Sequence, residues 1–359
     1  MPELLKNMYN RESLYEVAVA IQSVYNSFKV DEFIKSTMDE TWNNLELKAR
    51  CRKISMSLGM YLPEDYKEAL SILEKSVTGF YFAFFFPDFV EVYGQDDINW
   101  DLSISALERN TEYWSSEFAV RAFIIKDEER MMAQMRKWSK HKSEHVRRLA
   151  SEGCRPQLPW GQAISKFKKD PTPVLPILEQ LKTDTSTYVQ KSVANNLNDI
   201  SKTHPDLVIS IAKDWYGKNK STNWIVKHGC RTLLKKGNRD VLALFGYDDT
   251  TSINIQDFTL ETTSISIGED LTFSFNILAK KATKTRLEYG IDYIKSNGKK
   301  SRKIFKISEV SLKENEKKSY MKKHSFADVS VRKHYPGIHS IAIIINGIEK
   351  DKLDFELCI

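Results

Sequence analysis

Cysteine is scarce in this chain. Four are present, Cys51, Cys154, Cys230 and Cys358, and no two stand at metal-ligand spacing. A soluble chain of 359 residues needs no disulfide staples, so a reducing, cytosolic setting fits. A lone cysteine is usually a small buried hydrophobe, and none of the four is expected to act chemically. Long apolar runs are also missing. The longest aromatic run, "FYFAFFF" (Phe80–Phe86), is far too short to span a bilayer and meets Pro87 at its end. It reads as the buried face of a helix. The opening "MPELLKNMYNRESLYEVAVA" has no basic stretch followed by an apolar one, so no signal peptide is expected.

What is present suffices for a sizeable core: 41% of residues are hydrophobic. The net charge of +6 is unevenly placed. Residues 251–359 hold 19 Lys+Arg against 14 Asp+Glu, while the remaining residues hold 35 against 34. A basic small region beside a nearly neutral large one fits an acidic partner such as a nucleic-acid backbone, and it fits simple solubility equally well.

Up to about Tyr247 the apolar period is helical. "ESLYEVAVAIQSVY" sets Leu14, Val17, Ala18, Ile21 and Val24 on one stripe, and "LPEDYKEALSILEKS" begins with Pro63 and two acids, a helix start. A weak repeat follows in "SSEFAVRAFIIKD", "SEHVRRLASEG", "STYVQKSVANNLNDISK" and "STNWIVKHGCRTLLKKG". Each opens with small polar residues suited to capping, then carries an apolar residue and a basic or polar pair. The last two begin 35 residues apart; the gap before them is 43 and contains the insertion "CRPQLPWG". Such periods in all-helical sequence predict stacked helical pairs, a HEAT-like solenoid over 1–248.

The pattern then changes to period two. "SINIQDFTL", "SISIGEDLTFSFNIL", "TRLEYGIDYIK", "SRKIFKISEVSL" and "GIHSIAIIING" alternate polar and apolar residues, and "KSNGKKS" carries a hairpin turn at Asn297-Gly298. Roughly seven short strands predict a small all-β immunoglobulin-like sandwich over 251–359, the boundary lying near Asp248–Thr251. "HYPGIH" and "INGIEKDKL" read as turns, "IKSNGKKSRK" and "KKHSF" as basic loops.

In the repeat register Arg121, Arg147, Arg148, Lys191, Lys227 and Arg231 form a basic stripe able to follow a phosphate backbone. Charge runs are most often solvated helix faces, and spacing by itself favours that reading slightly. Three acids alter the weighing: Glu117, Glu152 and Asp199 occupy related places in successive repeats. Asn195, Asn196 and Asp199 interrupt an otherwise good helix with poor helix formers, Asn195 and Asp199 on one face.

The strings "EFAVRAFI", "ASEGCRPQLPW", "SVANNLNDISKTHPDLV" and "NWIVKHGCRTLLKKG" resemble motifs of the AlkC branch of the alkylpurine DNA glycosylases, whose AlkD relatives share the helical part. The likeness covers roughly residues 10–247, and residues 251–359 are similar to the Ig-like domain that some members carry. The resemblance implies a solenoid cradling double-stranded DNA and hydrolytic removal of 3-methyladenine and 3-methylcytosine, without metal or cofactor and without full base flipping. It implies a base-excision-repair enzyme, expected in the bacterial cytoplasm and associated with the nucleoid; solenoid ends and a sandwich demand no partner, so a monomer is expected, and no membrane association is. Motif by motif, Asp199, Glu152, Glu117 and Trp160 would lie in the catalytic cleft, with Asp199 first choice for the sugar-facing carboxylate. Arg155, Arg121, Lys191 and Arg231 would meet phosphates, and Trp224 and His228 would also face DNA. The alternative is a non-catalytic HEAT-repeat scaffold that binds DNA or protein, since fold alone does not set function. Clustered acids disfavour it, because carboxylates facing phosphates cost affinity unless they serve chemistry.

Overall fold

A computed structural model describes residues 4–247, 249–328 and 333–359. The boundary residue Asp248 lies outside the described residues. The first half carries α1 (Arg11–Val24), α2 (Val30–Thr37), α3 (Leu47–Tyr61), α4 (Tyr66–Val77), α5 (Phe85–Tyr93), α6 (Trp100–Asn110), α7 (Ala119–Lys126) and α8 (Glu128–Trp138). It continues with α9 (Glu144–Gly153), α10 (Ser165–Lys169), α11 (Leu175–Leu181), α12 (Thr187–Ile200), α13 (Pro205–Trp215), α14 (Lys220–Gly229), α15 (Arg231–Lys235) and α16 (Arg239–Leu244). No helix among the described residues is long and apolar enough to cross a membrane.

The helical period holds where it is clearest. In α1, Leu14, Val17, Ala18 and Ile21 are buried, whereas Val24 at the frayed end is 41% exposed. α4 begins later than its proline suggests: Asp65 is the cap, accepting from the Glu68 amide, and Pro63 stands outside. The aromatic run is not one helix face. Phe80–Phe84 form a turn, and Pro87 sits in the first turn of α5, where its missing N–H costs nothing. Ser186 caps α12 with its side chain, Ser143 makes no such bond at α9, and at α14 Asn219 accepts from the Ser221 amide.

The repeated segments become α7, α9, α12 and α14. α9 packs on α12, and α12 on α14. Glycines permit the closeness. A Cβ on Gly153 would stand 2.5 Å from Val120 Cγ2, and one on Gly229 would stand 3.0 Å from Leu197 Cβ.

The second half forms a β-sandwich of eight strands: β1 (Ile253–Leu260), β2 (Ser264–Ser266), β3 (Asp270–Ala279), β4 (Thr283–Ile294), β5 (Lys300–Leu312), β6 (Lys317–Ser325), β7 (Gly337–Ile345) and β8 (Ile348–Cys358). One sheet is ordered β1-β3-β6 and the other β2-β8-β7-β4-β5, with β2 parallel to β8 and the other pairings antiparallel. Inward residues of both sheets, Leu271, Phe273, Ile277, Ile291, Ile341 and Phe355 among them, make its core. The Asn297-Gly298 turn joins β4 to β5, with Gly298 at φ 74. Two strands occupy segments whose sequence reads as loop or turn. "KKHS" belongs to β6, an edge strand whose lysines face out and whose buried residue is His324, so it lacks the alternation that marks a half-buried strand. "IEKDKL" follows the Asn346-Gly347 turn but runs on as β8.

Two compact units result. One comprises residues 1–204 and 215–229, the other 205–214 and 230–359. The division does not follow the change of period near 248–251. Within the second unit, Lys284 Nζ donates to the Phe245 carbonyl at 2.7 Å and lies over the buried Tyr247 ring. Asn346 Nδ2 donates to the Asp249 carbonyl at 2.5 Å. Gly237 and Gly347 touch through backbone, so α15 and α16 are joined to the sheet.

Candidate active site

Glu152 stands one residue before the end of α9, Asp199 one residue before the end of α12, and Glu117 in the turn before α7. Packing of α9 on α12 brings the first two together; Glu117 reaches them from a different local position than the repeat register implies. The acids are linked through cations in one chain. Arg148 Nη1 donates to Glu117 and, at 2.6 Å, to Ser115 Oγ, which itself donates to Glu117. Arg148 Nη2 stands 3.8 Å from Glu152 Oε1, and Arg155 Nη1 donates to that oxygen at 2.5 Å. Arg155 Nε donates to Asp199 Oδ2 at 2.8 Å, and Lys202 Nζ donates to Asp199 Oδ1 at 2.8 Å. Three carboxylates thus alternate with three cations. Glu152 and Asp199 are 5% and 4% exposed, a burial that carboxylates tolerate only when paired. Burial works against the charge on Arg155, yet Glu152 and Asp199 hold its pKa above the ordinary value; Glu117 and Glu152 do the same for Arg148.

Two expected phosphate contacts have other work. Arg155 is buried between Glu152 and Asp199 and is ion-paired with both. Arg121 is 1% exposed and donates to the carbonyls of Gly153 at 2.9 Å, Arg155 at 2.8 Å and Gln162 at 2.6 Å. It therefore ties both ends of the "SEGCRPQLPWG" bend together, and burial lowers its pKa to about 10. Arg147 forms a two-pronged pair with Asp184, and Arg148 belongs to the acid chain, so neither presents a free cationic face. Asn196 is buried and donates to the Ser151 carbonyl at 2.8 Å, tying α12 to α9; Asn195 is half-buried. Lys191 is exposed on α12, and Lys227 is half-buried on α14. Trp224 and His228 stack at 5.0 Å on α14, Trp224 being 41% exposed. Arg231 opens α15 and groups with the second unit.

Trp160 is not a core residue. It is 71% exposed and holds φ 63, a left-handed backbone uncommon for a side chain of this size. Its carbonyl accepts from Lys48 Nζ at 3.0 Å, while the Gly161 N–H donates to the Leu158 carbonyl and the Ile164 N–H to the Pro156 carbonyl. The bend is therefore closed on itself and displays the indole outward.

Three residues escaped the sequence reading. Ser115 and Lys202 complete the ends of the acid chain, and Tyr188 lies under the Arg148 guanidinium at 4.8 Å, with the residue 39% exposed at the edge of the acids. Tyr188 stands at the start of α12, and an aromatic four residues before "SVANN" was the available signal. Burial raises the Cys154 thiol to about 12, so beneath the acids it is an inert filler.

Comparison with known proteins gives the chain relatives. Residues 110–233 match the family described as DNA alkylation repair enzyme, and 254–359 match the C-terminal Ig-like domain of the uncharacterised protein YhaZ. The chain is 50% identical over 356 residues to the uncharacterized protein YhaZ of Bacillus subtilis, covering 99% of each. It is also similar to the alkylpurine DNA glycosylase AlkC of Pseudomonas fluorescens, solved bound to DNA containing an abasic site analog. That likeness has a TM-score of 0.94 and 36% identity, and covers 99% of this chain and 100% of the other.

Proposed function

Since the chain belongs to the DNA alkylation repair enzyme family, in the branch that contains AlkC, we propose that it is an alkylpurine DNA glycosylase acting on double-stranded DNA. Its helical part is a HEAT-like solenoid that cradles the duplex, and its substrates are cationic N3-alkylated bases, 3-methyladenine and 3-methylcytosine. One observation carries this reading: three nearly buried carboxylates converge from α9, α12 and the turn before α7, beside an indole held out toward solvent.

The chemistry suits those groups. Alkylation at N3 makes the base cationic, so it departs as a neutral molecule carrying the electrons of the N-glycosidic bond. No acid is needed to protonate it. The deoxyribose left behind is oxocarbenium-like, and a preorganised carboxylate stabilises it by electrostatics in a site of low dielectric. Water then bonds to C1′ and loses its proton, for which a carboxylate serves as general base. Asp199 is assigned that place, supported by Glu152 and Glu117.

Both Asp199 oxygens are held by cations, which keeps them from an attacking water. Lys202 is the releasable one, with 41% of its side chain exposed, whereas Arg155 is buried. A DNA phosphate drawing Lys202 away would free Oδ1 for water while Arg155 keeps the carboxylate in place. Trp160 packs its indole on the damaged nucleotide, where a cationic base gains from the ring face. Lys191, Lys227 and the Trp224–His228 pair are the remaining DNA contacts of this reading.

Released bases from methylated duplex test it. Release of 3-methyladenine or 3-methylcytosine is expected from the wild type, and its absence at every salt concentration returns the chain to the scaffold reading. Asp199→Asn should keep DNA binding and lose excision on the order of 100-fold or more, the scale of removing a preorganised charge from a developing one. Unchanged excision would move the role to Glu152 or Glu117.

A further inference from the structure

Beside the acid chain, within the first unit, lies an apolar cavity of about 400 Å³, a size that accommodates small-molecule ligands. Of its walls, only Trp160 has a part in the proposed catalysis. Four aromatic side chains wall it: Tyr81, Phe84, Phe118 and Trp160. Three of them leave an unusual amount of ring in water, Tyr81 at 76%, Trp160 at 71% and Phe84 at 40% exposed. Exposed apolar groups gathered around one concavity mark a binding site rather than ordinary surface.

Polar groups are few and are placed with consequence. Asp88 and Glu91, both on α5, reach the cavity, as does Lys48, whose Nζ lies 4.3 Å over the Phe118 ring and donates to the Trp160 carbonyl, leaving the Tyr81, Phe84 and Trp160 rings for stacking. Arg52 pairs with both, Nε standing 2.9 Å from Asp88 Oδ2 and Nη2 2.5 Å from Glu91 Oε1. Each carboxylate has about four acceptor positions, so one arginine leaves acceptor capacity over. Asp88 Oδ2 is buried and receives no aligned hydrogen bond. The cavity is also contiguous with the acid chain: Ser115 lines it and bonds Glu117 and Arg148, while Trp160 contributes to its wall.

A flat aromatic molecule with N–H donors on one edge satisfies all of this. It would stack on the rings and present its donors to Asp88 and Glu91. We propose that this cavity holds the excised base, and that its ligands are free adenine- and cytosine-type bases bearing an exocyclic amino group. The inference rests on the glycosylase reading. The base would leave the sugar at the acid chain and move past Ser115 and Trp160 into the cavity, clearing the path for water. Stacking plus edge recognition is how proteins hold a base removed from DNA.

The test needs no DNA. Free 3-methyladenine, 3-methylcytosine and thymine are equilibrated by dialysis with the full chain, and excision from methylated duplex is measured separately. The two methylated bases should bind saturably. Thymine should bind about tenfold more weakly, because it has no exocyclic amino group and each of its ring N–H groups stands beside a carbonyl that would face a carboxylate. Tyr81→Ala together with Phe84→Ala removes exposed rings, and Glu91→Gln alters one acceptor. Both variants should weaken methylated-base binding by about tenfold or more, whereas Asp199→Asn should leave it unchanged. Excision without free-base binding overturns the cavity assignment and leaves the glycosylase reading standing. Free-base binding without excision removes the glycosylase reading and with it the excised-base role, leaving a base-binding cavity of another purpose. Binding that is indifferent to both cavity variants overturns the assignment.

Discussion

Arg155 shows how far a single residue's role can lie from its sequence appearance. An arginine in a proline-stiffened bend near a DNA-binding motif reads as a phosphate contact. Its partner Asp199 is 44 positions away, and only the packing of α9 on α12 joins them. Arg155→Met should therefore destabilise the protein by about 3–5 kcal/mol in urea unfolding, the cost of leaving buried carboxylates uncompensated. Adding Asp199→Asn should recover part of the loss, since the two sites are coupled. If Arg155 were a phosphate contact, stability would be little changed and the salt slope of DNA binding would fall by about 0.9. The acids themselves were legible, because carboxylates recurring among capping and apolar positions are unusual. The cations that hold them were legible only as a stripe, and Arg121, Arg147 and Arg148 left that stripe once their partners were visible.

Helices α9 and α12 set the geometry at the next scale. Their existence followed from period and spacing; the close packing at the end of α9 depends on Gly153. Gly153→Ala places a Cβ 2.5 Å from Val120 Cγ2, so overpacking should cost about 1–3 kcal/mol in thermal or urea unfolding. Val120→Ala in the same chain should restore most of it. Excision should fall with Gly153→Ala, because Glu152 is the neighbouring residue. No loss of stability would mean that α7 and α9 have room to separate. Among strands, hydrophobic alternation located those with one buried face, and the Asn-Gly turn located the β4–β5 hairpin. β6 escaped because an edge strand covered in lysine has no apolar period to read.

In the whole molecule, the compact units decide which experiments are clean. Removing residues 251–359 would uncover Tyr247 and Phe245 and strip α15 and α16 of their sheet neighbours. That deletion should lower the thermal midpoint of the remaining chain as well as change DNA binding. Lys295→Ala with Lys299→Ala in the exposed hairpin asks the binding question alone. The salt slope should fall by about 0.9 for each phosphate no longer neutralised, and an unchanged slope would take the hairpin off the DNA. Acid stability is a second whole-molecule property. The Asp292 carboxyl accepts from Arg302 and Lys352, and these bonds lower its pKa from 3.8 to about 2. A depressed folded value contributes stability above the ordinary carboxylate range and loses it as pH falls from about 4 toward 2. Asp292→Asn should flatten that part of the unfolding profile while lowering stability at neutral pH.

By itself the sequence determined what is local: helical period up to about Tyr247, period two beyond it, the hairpin turn, and three acids and a tryptophan set apart from their surroundings. These depend on neighbours within a few residues, and a linear pattern records them. Tertiary structure alone decided which charges meet, that Arg121 ties the bend that displays Trp160, that this indole rests on a left-handed backbone, and that residues 230–247 fold with the sheets. Pairing and burial are set by groups some 30 to 100 positions apart, whose desolvation and charge must be balanced in space, and no spacing along the chain encodes that balance.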